Sequence, residues 1–388
     1  MKTIKKSSLL FIVLTALCVS SCENMMDVHQ QFIEDGERIR APKVHDMQFF
    51  AGENQILFRF MLKTSPNVTT VDVFWNDRAD SLIIPVTPTT GLDTFKVILP
   101  NMAEKSYTFE VRTTDSYGHH SLVTTGVGTA YGTMYRKSLS NRRVGIGTMV
   151  EVGTNIQVRI PWGAASTNLV QNEIRYTAVG GAKQVIEVTR TDALTSISDA
   201  EAGSLFESRS WFLPDSVAID TFKLAWDTLT IDPNIFFDRT SWEVLSVSDE
   251  QVSDGGGKVS LIDGNLGTYW HSQTAAPAAV PPHWAIIDMK ASKNITRIEI
   301  YRRTNNSDAK TVQYFVSDDP EPDPVLNTTW VQIGSDVVFP NTASPQMLPT
   351  DIPSPNPANI RRYLKIYLPD SNRSPFTSIA EVYVFGRY

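Results

Sequence analysis

The stretch Ser260-Leu-Ile-Asp-Gly-Asn-Leu-Gly-Thr-Tyr-Trp-His-Ser272 decides how this chain is read. Asp263-Gly264-Asn265 predicts a tight turn, because Gly and Asn tolerate positive φ and the Asp carboxylate can bond the backbone ahead of it. Tyr269 and Trp270 then enter a strand. Oxygens at 263, 265 and 268 on such a turn can wrap a hard cation, which takes about six to eight oxygen ligands, many of them backbone carbonyls. This is loop chemistry, not helix chemistry.

Working outward, further pieces follow in order: Pro282-His-Trp284, Ile286-Ile-Asp288, and Glu381-Val-Tyr-Val-Phe-Gly386 near the C-terminus. Together with Ile262-Asp-Gly-Asn265 and Thr268-Tyr-Trp-His-Ser272, their order and spacing resemble a discoidin, or coagulation factor 5/8 type C, domain. That is the jelly-roll sandwich shared by many carbohydrate-binding modules, and the resemblance covers residues 240–388. It implies a structural calcium site built from Ser260, Asp263, Asn265, Thr268 and Glu381, with the Ala380 carbonyl as a further candidate. Such an ion would staple the two ends of a domain that has no disulfide. The other reading is that Asp263 caps its own turn and Glu381 is a solvated strand residue.

The resemblance also implies a glycan site on loops at one end of the sandwich. Arg303 follows the strand Ile298 to Tyr301, and Asn305 and Asn306 sit in the next loop. Arg373 and Phe376 lie in the loop Asp370-Ser-Asn-Arg-Ser-Pro-Phe376, and His271 and His283 flank the same end. Arginine offers a rigid fork to sugar oxygens, and phenylalanine stacks on a sugar face. Against this stands a plain alternative, in which Phe376 caps the core and the arginines pair with Asp370 or Asp308. Trp270 and Trp284 read as core residues.

The chain has 388 residues, a length that suggests about two to three domains. Charged residues make up 20% and the net charge is −7. Beyond the N-terminus no basic run exceeds the pairs Arg142-Arg143, Arg302-Arg303 and Arg361-Arg362, which argues against nucleic acid as a partner. Cys18 and Cys22 are the two cysteines. Lys2, Lys5 and Lys6 precede an apolar run from Leu9 to Val19, too short for a spanning helix of ~20 residues. Val19-Ser-Ser-Cys22 then resembles a bacterial lipobox, with cleavage before Cys22 and acylation of its thiol. A plain secretory signal with an incidental cysteine is the alternative. Residues 1–21 are thus expected as a lipoprotein signal peptide and 22–40 as a tether, with one short helical turn around Gln30 to Ile33.

From Ala41 the pattern is period-two alternation, as in Gln55-Ile-Leu-Phe-Arg-Phe-Met-Leu62. Seven short strands over 41–134 predict an immunoglobulin- or fibronectin III-like sandwich, and Tyr107 after Leu99-Pro100 resembles a tyrosine corner. Residues 135–239 predict a second, less regular Ig-like β-domain. Within it a helix is expected over Thr191 to Phe206, and a linker at Asp232-Pro-Asn234 and Asp238 to Ser241. The fold class is therefore all-β: two Ig-like sandwiches, then a discoidin-like jelly roll over 240–388. Residues 23–238 resemble a family of surface lipoproteins of unknown biochemical function. The segments that carry this are Trp75-Asn-Asp-Arg-Ala-Asp-Ser-Leu82 and Thr108-Phe-Glu-Val-Arg-Thr-Thr-Asp-Ser-Tyr-Gly118. That resemblance implies a setting in Gram-negative glycan uptake.

No His-Glu-x-x-His, Gly-x-Ser-x-Gly or phosphate-cradling loop occurs, and none of the 42 acids is singled out as half of a glycosidase pair. The expectation is a non-catalytic lipoprotein, anchored in the outer membrane and exposed at the surface. It would bind glycan through its C-terminal domain and work beside an outer-membrane transporter complex. An adhesin or structural protein-binding component of such a complex is one alternative; an accessory of a divergent glycoside hydrolase is another.

Overall fold

The computed structural model describes residues 39–353 and 356–387. The signal peptide, Cys22, the turn around Gln30 to Ile33 and the tether up to residue 38 lie outside the described residues. The chain forms two compact units. One comprises residues up to Ser138 together with Leu213–Phe222; the other comprises Leu139–Phe212 and Lys223–Tyr388.

The first unit is a two-sheet sandwich. Strands β1 (His45–Ala51), β2 (Gln55–Lys63) and β5 (Leu92–Pro100) form one sheet. Strands β4 (Asp80–Pro85), β3 (Val68–Trp75), β6 (Lys105–Asp115) and β7 (Thr124–Ala130) form the other. The alternation read in β2 is the cause of the core: Ile56, Phe58, Phe60 and Leu62 are all fully buried. They meet Val71, Val73, Phe109 and Val111 from the facing sheet. Tyr107 donates its phenol to the Ala103 carbonyl at 2.9 Å, the expected corner. A short helix, α1 (Thr133–Ser138), follows.

The second unit begins with one end of a long sheet and with a smaller separate sheet. One runs β12 (Leu194–Ile197), β9 (Asn155–Pro161), β8 (Gly147–Val152). The other contains β11 (Lys183–Thr189), β10 (Leu169–Thr177) and β13 (Glu207–Phe212). The helix expected over Thr191 to Phe206 does not form. Leu194 to Ile197 instead pairs antiparallel with β9, and Gly203 stands at φ +75°, outside helical space. Threonines and serines in that stretch gain more from the edge of β9 than from a helix with only loosely spaced apolar residues.

Two-residue strands β14 (Phe222–Lys223) and β15 (Asp227–Thr228) lead to β16 (Ile231–Phe236). The Asp-Pro-Asn punctuation had suggested a linker here. The segment is a strand because Ile235 and Phe237 are buried in the C-terminal core, 4% and 1% exposed. Its register is irregular between Ile231 and Ile235, where Pro233 has no N–H to give. β16 runs parallel to β8 and antiparallel to the last strand, β24 (Ser378–Arg387). The second β-region and the C-terminal region therefore share one continuous sheet. Side chains reinforce it: Lys293 binds Glu151 at 2.7 Å, and Thr296 donates to Asn234 at 2.7 Å.

The C-terminal region is organised around β19 (His283–Arg302), twenty residues long. Its first half pairs with β17 (Glu243–Val247) and β23 (Ile360–Leu368), and its second half with β24 and β22 (Met347–Asp351). The strand turns a corner at Lys290, φ 63°, where Asp288 accepts the Lys290 N–H at 2.8 Å. β20 (Thr311–Ser317) and β21 (Val331–Val338) extend the β23 side. The two faces enclose Trp270, Ile287, Ile298, Ile300, Tyr314 and Val382. Gly386 closes the motif for a steric reason: a Cβ there would lie 2.1 Å from the Asn294 carbonyl and 2.4 Å from the Phe237 ring. The fold is all-β, ending in a discoidin-like β-sandwich.

Candidate functional site

The Asp263 turn forms as its residues dictate. Asp263 accepts the Asn265 N–H on one carboxylate oxygen (2.8 Å) and the Thr268 hydroxyl on the other (2.7 Å). Glu381, on β24, is fully buried directly behind it. One of its oxygens accepts the Gly264 N–H at 2.5 Å; the other accepts Nη1 of Arg239 at 2.5 Å. The same Nη1 donates to the Val382 carbonyl at 2.8 Å, and the guanidinium lies 4.5 Å from the Tyr383 ring centroid. Ser260 is buried, its hydroxyl bonded to the Gly255 carbonyl at 3.2 Å. Burial pushes the Glu381 carboxyl up from its ordinary value, and Arg239 and the Gly264 N–H oppose that rise.

The five residues expected to hold calcium are thus gathered on one turn and the strand behind it. Yet all four carboxylate oxygens of Asp263 and Glu381 accept hydrogen bonds, and a guanidinium stands against Glu381. Each oxygen keeps a second lone pair, but the Arg239 guanidinium already balances the buried Glu381 charge and opposes a further positive charge beside it.

A second cluster occupies the loop end. Asp308, 1% exposed, accepts Nε of Arg373 at 2.9 Å, Nη2 at 3.2 Å and the Asn306 amide at 2.9 Å. Arg373, its side chain 60% exposed, lies over the Phe376 ring at 5.5 Å. Phe376 is half-buried, 6.2 Å from His271 between ring centroids, and His271 is 6.4 Å from Tyr269. Arg303 stacks on Tyr269 at 4.2 Å, and Asp254 takes the Tyr269 hydroxyl at 2.5 Å. Asn305 is exposed on the connecting turn at φ 56°. The expected residues Arg303, Asn306, Arg373 and Phe376 therefore belong to one row, linked by His271, which was expected at this end, and by Tyr269, which spacing did not single out. Arg373 does pair with Asp308, as the plainer reading had it. The pairing fixes the guanidinium plane without covering it.

His283 is not at the surface of this end. It is fully buried, with Nδ1 2.9 Å from Asp249 and Nε2 2.7 Å from the Pro375 carbonyl. Both partners are acceptors, so both ring nitrogens carry protons and the imidazole is cationic. Burial alone would lower its pKa, but the Asp249 carboxylate and the Pro375 carbonyl outweigh burial and raise it. The sign follows. A raised histidine stabilises fully below its unfolded value of 6.5, and the contribution is lost as pH rises through the folded value. Asp249, held below its ordinary value by His283, Ser248 and the Gln273 N–H against its own burial, is ionised throughout that range. The thermal midpoint should therefore fall as pH rises above 6.5. His283→Gln should flatten that profile; a wild-type midpoint constant across the range would refute the assignment.

These observations define a class, a modular all-β protein with a C-terminal domain of the F5/8 type C kind, whose model matches residues 245–382. The chain itself belongs to the DUF4998 family, a domain of unknown function, matched over residues 22–222. It is similar to a sialidase of Micromonospora viridifaciens, 24% identical over 153 residues, 39% of this chain and 22% of that protein. The chain thus spans about a fifth of the length of that curated relative. Among solved structures it is similar to the family 32 carbohydrate-binding module of C. perfringens NanJ, determined with galactose. The two are 17% identical, over 38% of this chain and 95% of that one, with a TM-score of 0.30. A SusE-like protein is 11% identical over 88% of this chain and 96% of its own, with a TM-score of 0.33.

Proposed function

We propose that this chain captures glycan at the loop end of its F5/8 type C domain and does not transform it. The supporting observation is the row Arg303, Tyr269, His271, Phe376, Arg373, in which two guanidinium groups bracket ring faces and the buried Asp308 fixes one of them. Planar donors beside an aromatic face suit sugar hydroxyls and the C–H face of a pyranose. Asp308 and Asp254 are each engaged by donors, which suits positioning better than a hydrolytic acid–base pair. In this reading the protein is a lipoprotein acylated at Cys22. It is displayed on the outer membrane within a polysaccharide uptake system, where many weak sites act together. We also propose that Arg239 supplies the positive charge that calcium was expected to bring to Glu381.

A glycan array tests the first proposal. Arg373→Ala should weaken the best-bound neutral glycan by about tenfold, the worth of one charge-assisted contact pair. Release of reducing sugar by the purified protein, or recovery of an outer-membrane protein partner with no glycan bound anywhere on the array, would overturn it.

A further inference from the structure

On the sheet face away from the core, Tyr367 of β23 pairs with Trp284 of β19, and Lys365 of β23 pairs with Phe315 of β20. The segment between β20 and β21 folds back over them and brings Pro322 and Trp330 alongside, leaving a cleft of about 670 Å³. Its walls are aromatic: Trp284, Phe315, Trp330 and Tyr367 are each half-buried, with Phe315 and Tyr367 edge to face at 6.0 Å. Lys365 also lines it, 6% exposed. Its Nζ lies 4.2 Å from the Trp330 ring centroid and 5.5 Å from that of Phe315. Its one hydrogen bond is a long one, 3.5 Å to the Pro322 carbonyl, and among the described residues it forms no ion pair.

An ammonium buried without a counter-ion is unfavourable, and burial here pushes Lys365 down to about 8. Cation–π contact offsets part of that cost. Neighbouring strand positions on the same face, such as Ile286, show that an apolar residue is accommodated there. An unpaired charge among ring faces therefore points to an anion that arrives from outside. The cleft volume suits one or two sugar rings.

We propose that this cleft is a second glycan subsite, selective for an acidic sugar: a uronate whose carboxylate meets Lys365 and whose ring stacks on Trp330 and Trp284. The cleft shares no residue with the loop end, so the two readings stand or fall separately.

Titration calorimetry on the folded protein tests it, with a panel of oligogalacturonate, oligoalginate and glucuronate-containing oligosaccharides, each beside its neutral counterpart. At least one acidic oligosaccharide should bind about tenfold more tightly than its neutral partner. Lys365→Met should abolish that preference while keeping the wild-type affinity for neutral glycan and an equal or higher thermal midpoint, since an orphan charge is replaced by an apolar side chain of similar reach. Trp330→Leu, which keeps the charge, should weaken the acidic ligand by about fivefold or more. An acidic panel that does not bind, or one bound equally by wild type and Lys365→Met, overturns the proposal.

Discussion

Replacing Arg239 by alanine is expected to lower the free energy of unfolding by about 3–5 kcal/mol, because it leaves Glu381 as an uncompensated charge in a fully buried position. Arg239 itself is only 9% exposed, so water does not screen the loss. Denaturant melts at pH 7 measure the effect. Two further arms make the attribution specific. The double variant Arg239→Met with Glu381→Gln should recover much of the loss, since the deficit belongs to the orphaned charge more than to packing. The deficit of Arg239→Ala should also shrink as pH falls. A carboxyl whose folded pKa is raised binds more protons in the native state, so the variant gains stability on acidification. A chelator should leave the wild-type midpoint unmoved; a fall on chelation that calcium reverses would sink the account of Arg239 as the internal cation.

The second large effect concerns where the C-terminal domain begins. A fragment starting at residue 240, the boundary that the resemblance suggests, lacks Ile235 and Phe237, both built into the jelly-roll core. It also uncovers β24 where Ile235 and Phe236 pair with Gly386 and Phe385. Losing one large buried aromatic and one buried aliphatic side chain costs about 5 kcal/mol or more, comparable to the whole stability of a small domain. The 240–388 fragment should therefore be poorly folded, with an exposed edge on β24 that invites association. A fragment starting at 228 should be markedly more stable by circular dichroism and thermal melting. Equal midpoints for the two fragments would show that β16 contributes little.

How much of this was legible beforehand varied with the kind of signal. Period-two alternation gave the first sandwich nearly strand for strand, since Ile56 to Leu62 can bury one face only by being β. The Asp263 turn was legible from local turn chemistry, and the loops carrying Arg303 and Arg373 from the resemblance to a discoidin domain. What was not legible came from partners distant in sequence. Arg239 finds Glu381 across 142 positions, and His283 finds the Pro375 carbonyl across 92. The Asp-Pro-Asn segment read as a linker because turn residues are local signals, whereas the docking of Ile235 and Phe237 is decided by the cavity they fill. Lys365 had a local cue in Tyr363-Leu-Lys-Ile-Tyr-Leu368, where alternation puts it on the face opposite Leu364 and Ile366. That this face is roofed by the 318–330 loop is a tertiary fact.

The shared strand β16 has a mechanical consequence. With one ribbon hydrogen-bonded to β8 on one side and β24 on the other, residues 147–161 and the jelly roll have no swivel between them. Under the proposed capture of glycan, tension on a bound polymer would pass directly into residues 147–161 as shear along paired strands, and the loops carrying Arg303 and Arg373 would keep a fixed aim relative to them. Any search freedom the molecule has must come from elsewhere along the chain.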